Sequence, residues 1–161
     1  MNDLRLATAR RRLAECCGQT DAVEALREIV SNFLGSEEMA LFKADCRTAD
    51  FPILWSFGVD AKKCNLLWAL SEKGLDRILR GECHVEARAG ENKISKSIRA
   101  FVPICLANET VAVLAIMGLL PQKAGFDRAD MDLLALLSNE AGKALFPAGA
   151  AAPQESEKEN E

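Results

Sequence analysis

Six cysteines and one histidine are the residues of this 161-residue chain best suited to act as nucleophiles or soft metal ligands: Cys16, Cys17, Cys46, Cys64, Cys83, Cys105 and His84. Their spacing argues against a metal centre. A structural zinc site draws on Cys and His clustered at short intervals, often as Cys-x-x-Cys pairs. No such pair occurs, and His84 is the single imidazole. A Ser/His/Asp set would therefore have one candidate base, and no glycine loop of the phosphate-cradling kind is present. An even cysteine count fits a disulfide framework in an exported protein. Here Met1–Arg12 carries charges where a signal peptide has its apolar stretch. The thiols are therefore expected to be reduced, and mostly to serve as small buried apolar groups. The chemistry-bearing residues point to a chain without catalytic residues, metal or cofactor.

Aromatic residues are the other candidates for a site. Trp55, Phe57, Trp68, Leu75, Phe101 and Cys105 are expected near any pocket. A lining so apolar, with few polar anchors, suits a hydrophobic ligand or plain core.

The elements that would position these residues follow from apolar periodicity and punctuation. Asp3–Cys17 reads as a helix stopped by Gly18. Asp21, with Glu24 three residues on, resembles a capping box. Val23, Leu26, Ile29, Val30, Phe33 and Leu34 then form one helical face, ended by Gly35. Glu38–Lys43 and Phe51–Val59 read as strands, and Asn65–Leu70 is too short to type by periodicity. Ser71–Arg80 is a short helix stopped by Gly81, and Glu82–Ala87 a short strand. Ile98–Leu106 and Val111–Leu119 are nearly continuous apolar runs about a turn at Asn108, as in a central hairpin. Asp127 caps a last helix running to about Phe146, with Met131, Leu134, Leu137, Ala141 and Leu145 on its buried face. The order predicts an α+β domain: an antiparallel sheet of five or six strands flanked by N- and C-terminal helices. The division expected is an N-terminal helix, 1–18, a domain, 19–146, and a disordered acidic tail, 147–161.

Composition narrows the partners. The chain is 49% apolar, enough for one core, and its net charge is −4. Most of that charge lies beyond Pro147, in Glu155, Glu157, Glu159 and Glu161 against Lys158, so the body is near neutral. Nucleic-acid binding would rest on Arg10, Arg11 and Arg12 alone, and is not expected. No apolar run reaches the roughly 18 residues of a membrane span, so the default location is the cytoplasm.

Three stretches together resemble the GAF domain family. Leu75–Glu82 is similar to its short helix and following glycine. Ser97–Ile104 with Val111–Gly118 resembles its core hairpin, and Phe126–Leu134 the start of its last helix. The resemblance covers residues 21–146 and implies a GAF-like, profilin-like sheet with a pocket roofed by the short helix and loops. Members bind cyclic nucleotides, haem, bilins or metabolites, or bind nothing and dimerise.

The resemblance also assigns candidate sites. Cys83-His84 matches the cysteine–histidine pair of bilin-binding members, without the aromatic and polar residues expected downstream. Gln122-Lys123, Phe126 and Asp130 partly match a cyclic-nucleotide pattern, departing from it at Gln122 and Met131. A related family reduces free methionine sulfoxide with cysteines, which Cys83 and Cys105 would have to supply. The expectation is a non-enzymatic regulatory or signalling module acting through protein contacts, as a homodimer built on Leu6, Leu13, Leu134, Leu137 and Ala141. The alternatives are a small-molecule sensor with its effector on another chain, or a thiol reductase.

Overall fold

In a computed structural model, residues 2–44, 51–59, 72–85, 99–120 and 125–147 are described. The N-terminal helix α1 (Asn2–Ala14) ends three residues before Cys17. Helix α2 (Gln19–Ile29) follows, and its cap is Gly18, with φ 106°, rather than Asp21. Asp21 sits in the first turn of α2 and works sideways. Its carboxylate accepts from the Cys17 amide and from Arg12, each at 3.0 Å. Arg12 also reaches Glu28 at 3.0 Å, tying α1 to α2. Arg12 foremost, then the Cys17 amide, hold the Asp21 carboxyl below the usual carboxylate range.

Helix α2 widens into a π-helical turn, Val30–Leu34, which buries both Val30 and Leu34. Gly35 closes it at φ 77°, a left-handed position that favours glycine.

The sheet has strands β1 (Met39–Lys43), β2 (Ile53–Phe57), β3 (His84–Val85), β4 (Ala100–Leu106) and β5 (Glu109–Ile116). Their order is β2-β1-β5-β4-β3, and every neighbouring pair is antiparallel. The central hairpin predicted from the two apolar runs is β4–β5. Its turn is Ala107–Asn108, both at positive φ, the geometry of a two-residue hairpin loop.

Both faces of the central strands are covered, which explains why their sequences barely alternate. Val102, Ile104, Ala112, Leu114 and Ile116 face a helical layer of α1, α2 and the last helix, α4 (Arg128–Leu145). Phe101, Val113 and Ala115 face the other way, with Phe42, Phe51 and Ile78. Ile78 belongs to the short helix α3 (Glu72–Leu79), which lies on this second face. Thr110 fixes α3 there by donating its hydroxyl to the Ile78 carbonyl at 2.9 Å.

Helix α4 begins as the sequence predicts. The Asp127 carboxylate accepts from the Asp130 amide, and Asp130 returns the bond to the Asp127 amide. Leu134, Leu137, Ala141 and Leu145 point inward as expected, but Met131 points outward and is exposed. Among the described residues, no helix is long and apolar enough to cross a membrane.

Candidate functional site

The expected pocket residues do not converge. Phe101 lies on the α3 face, where its cross-strand partner His84 stacks on it, ring centroids 6.1 Å apart at 27°. Trp55 and Phe57 lie on the helical face. They stack on each other at 6.4 Å and 9°, and the Arg27 guanidinium sits 4.8 Å over the Phe57 ring.

Register separates the two groups, since Phe101, Ala115, Ala40 and Ser56 lie in line across the sheet and Trp55 and Phe57 alternate with Ser56; a bulge in β2 then separates Ile53 from Trp55. Trp55 and Phe57 pair with Leu41 and Met39, whereas Ile53 pairs with Phe42, leaving Leu54 as the extra residue. Strand alternation therefore restarts at Leu54, and Ile53 goes to the α3 face while Trp55 does not. Trp68 and the Leu75 side chain lie outside the described residues; the backbone at Leu75 is within α3.

Cys105 is brought instead toward Cys83. The Cys105 sulfur lies 3.9 Å from the Ser138 hydroxyl, and the Cys83 thiol donates to the Leu134 carbonyl at 3.9 Å. Residues 134 and 138 are linked by one helical hydrogen bond, so both sulfurs contact the same turn of α4. The Ser138 hydroxyl in turn donates to the Pro103 carbonyl. Burial, helped by the neighbouring Cys105 and opposed by Arg77, pushes the Cys83 thiol up to about 11. A thiol so raised stays protonated at neutral pH, and the thiolate is the attacking species. Cys16, Cys17, Cys83 and Cys105 are free thiols, and Cys46 and Cys64 lie outside the described residues.

The residues matched to a cyclic-nucleotide pattern have structural neighbours. Asp130 is fully buried, bonded to Asp127 and 3.4 Å from Arg5. Arg5 also donates to the Phe33 carbonyl at 2.8 Å, so the cluster pins α1 to the end of the π turn and the start of α4. Phe126 packs against the helical-layer core. Gln122 and Lys123 lie outside the described residues. No group of three or more His, Cys, Asp or Glu among the described residues is placed to hold a metal ion.

The residues expected to form a dimer face need correction. Leu13, Leu134, Leu137 and Ala141 are buried in the chain's own core, with Leu6 packed against them. Their apolar periodicity marks α1 and α4 packing on α2 and the sheet, so none of these four is available to a second copy. Helix α1 instead turns Leu4, Ala7, Arg11 and Ala14 outward, with Leu4 72% exposed. Helix α4 presents Met131, Ala135 and Asn139. The two helices run parallel, as the Arg5–Asp130 and Arg10–Glu140 contacts require.

Between their C-terminal halves lies a groove of about 710 Å³, lined among others by Arg10, Leu13, Cys16, Gly18, Lys143 and Pro147. Sequence reading missed it because residues more than a hundred positions apart build its two walls.

Compared by sequence alone, the chain matches no family model and no curated protein. Solved structures with the same arrangement exist. The GAF domain of a phosphoenolpyruvate-protein phosphotransferase from Coxiella burnetii matches with TM-score 0.67 at 16% identity, over 89% of this chain and 92% of that one. The chain has the GAF-domain fold. The corresponding Acinetobacter GAF domain matches with TM-score 0.65 at 15% identity, over 88% and 90% of the two chains. Free methionine-R-sulfoxide reductase from Neisseria meningitidis, solved with its substrate, matches with TM-score 0.58 at 18% identity, over 92% and 89%. At these identities the likeness fixes the GAF fold and leaves the activity to the residues of this chain.

Proposed function

We propose that this GAF-fold chain is a non-catalytic regulatory module that works through protein contacts, in the cytoplasm, and pairs with a second copy along α1 and α4. The observation that carries the reading is the outward stripe on these helices. Leu4 is 72% exposed and Met131 39%, and small residues at Ala7 and Ala135 would let a second pair of helices approach closely. Helix α1 packs chiefly on α4 and α2, and its side bearing Leu4, Ala7, Arg11 and Ala14 is exposed. Light scattering coupled to size exclusion tests this. The wild type is expected at twice the chain mass at tens of micromolar, and Leu4→Glu with Met131→Glu at the chain mass. A monomeric wild type would remove the pairing claim.

A second reading, a small-molecule sensor, is favoured by the half-buried His84 ring stacked on Phe101 on the α3 face. Native mass spectrometry of protein purified without denaturation separates the two, since a sensor retains a ligand. The thiol-reductase reading has the Neisseria likeness in its favour and the raised Cys83 thiol against it. Absence of turnover on free methionine sulfoxide would end it.

A further inference from the structure

Helix α1 is fastened differently from the rest of the helical layer. Of its described side chains only Ala9 and Leu13 are buried, with Leu6 packed partly against the same core. Helix α4, by contrast, buries Leu133, Leu134, Leu136, Leu137, Ala141 and Leu145.

The other ties of α1 are charged. Arg5 lies 3.4 Å from Asp130, Arg10 lies 3.0 Å from Glu140, and Arg12 lies 3.0 Å from both Asp21 and Glu28. These carboxylates all belong to α2 or α4, so three arginines of one helix clip into the two helices beneath it. None of the three arginines is buried: their side chains are 28%, 57% and 27% exposed. Ion pairs open to water hold weakly and are screened by salt.

The joint to α2 can turn. Residues 15–18 connect the two helices, and Gly18 holds φ 106° with nothing packed where a Cβ would stand. Rotation there carries α1 away while α2, α4 and the sheet keep their contacts with one another.

We propose that α1 is a releasable clamp, opening as a unit about residues 15–18 while the rest of the domain stays folded. Elements with few buried apolar contacts are the ones that open locally. Asp130 carries the consequence to α4. It is fully buried, closes the cap at the start of that helix and receives Arg5. Opening of α1 therefore hydrates this carboxylate and bares the seam between α2 and α4. Pairing along Leu4 and Met131 needs α1 in place, so the clamp also controls it, but the clamp does not rest on that reading.

The experiment is hydrogen exchange read by mass spectrometry. It uses the full chain carrying Leu4→Glu and Met131→Glu, so that failure of pairing and failure of the clamp are read separately. Amides of residues 6–14 are expected to exchange more than about tenfold faster than those of β4 and β5. Raising salt to about 1 M should speed the α1 amides several-fold and leave β4 and β5 unchanged. Arg10→Glu alone, or Glu140→Arg alone, is expected to speed the same amides at low salt. The two together should restore the slower rate, since the pair re-forms with its charges exchanged, whereas lost packing would not be rescued. Exchange of α1 at the rate of β4 and β5, a salt response shared equally by all three, or failure of the double change to rescue would each overturn the proposal.

Discussion

Gly142 of α4 meets Cys105 backbone to backbone at the end of β4. A Cβ built at 142 would press into the Cys105 carbonyl oxygen and carbon, with the Leu106 Cβ also close. The helix lies this low on the sheet because position 142 has no side chain. Two effects of Gly142→Ala oppose each other. Helix propensity favours Ala by about 1 kcal/mol, whereas overpacking against backbone costs about 1–3 kcal/mol. The obstructing atoms belong to a central strand and cannot rotate away, so the clash is expected to win. A net loss of up to about 2 kcal/mol should appear in urea unfolding. Unchanged or raised stability would mean that α4 can lift from β4 freely.

The reciprocal cap at the start of α4 gives a second test. Asp127→Ala is expected to cost about 1 kcal/mol, the usual value for losing an N-cap acceptor. Asp127→Asn should retain most of it, because the amide oxygen can still accept from the Asp130 amide. Asp130→Ala should cost more than Asp127→Ala, since Asp130 is fully buried and also faces Arg5. Equal losses at the two positions, measured in parallel denaturation curves, would contradict the role given to Arg5 in joining α1 to α4.

How much of this was legible beforehand depends on what each residue had to signal. The β4–β5 hairpin was readable because strands covered on both faces are apolar throughout, and Ile98–Leu106 and Val111–Leu119 are such runs. The Asp127 cap and the Gly35 and Gly81 stops were readable because their chemistry is local. The start of α2 was not, because Gly18 caps it through backbone geometry while Asp21, the better cap by type, is claimed by Arg12 and the Cys17 amide. The division of Trp55 and Phe57 from Phe101 follows from register, since Phe101, Ala115, Ala40 and Ser56 lie in line across the sheet and the neighbours of Ser56 take the other face; a strand pattern read alone does not give register. The dimer residues failed for another reason. Periodicity at Leu134, Leu137 and Ala141 shows that a face is covered, and the chain's own core covers it.

The β4–β5 turn predicts a stabilising change. Ala107 and Asn108 hold φ of 53° and 67°. Asn tolerates the left-handed region, whereas an ordinary residue there costs roughly 1–2 kcal/mol. Two-residue hairpins of this geometry favour Asn-Gly. Ala107→Asn combined with Asn108→Gly is therefore expected to raise stability by about 1 kcal/mol, seen as a higher urea midpoint at unchanged slope. A lower midpoint would show that the turn is set by other contacts of the hairpin.

Cys83 gives the chain a dependence on alkaline pH. Its thiol is raised from 9.0 to about 11, first by burial and then by Cys105, with Arg77 opposing. Between those values the unfolded chain has lost the proton and the folded chain still holds it. The folded state binds more protons there, so stability falls as pH rises through that interval and is not affected by this group below pH 9. A shift of about two units sets an upper bound near 3 kcal/mol, and partial exposure of Cys83 makes the expected loss smaller, about 1–2 kcal/mol. Urea unfolding in reducing buffer at pH 8.5, 9.5 and 10.5 should show this decline in the wild type and a shallower one in Cys83→Ala. Lysines and the other cysteines titrate in both chains, so the difference between the two slopes isolates the Cys83 contribution. Parallel slopes would mean that the Cys83 thiol ionises as readily in the fold as in the open chain, and the closeness of both sulfurs to the Leu134–Ser138 turn would then carry no electrostatic consequence.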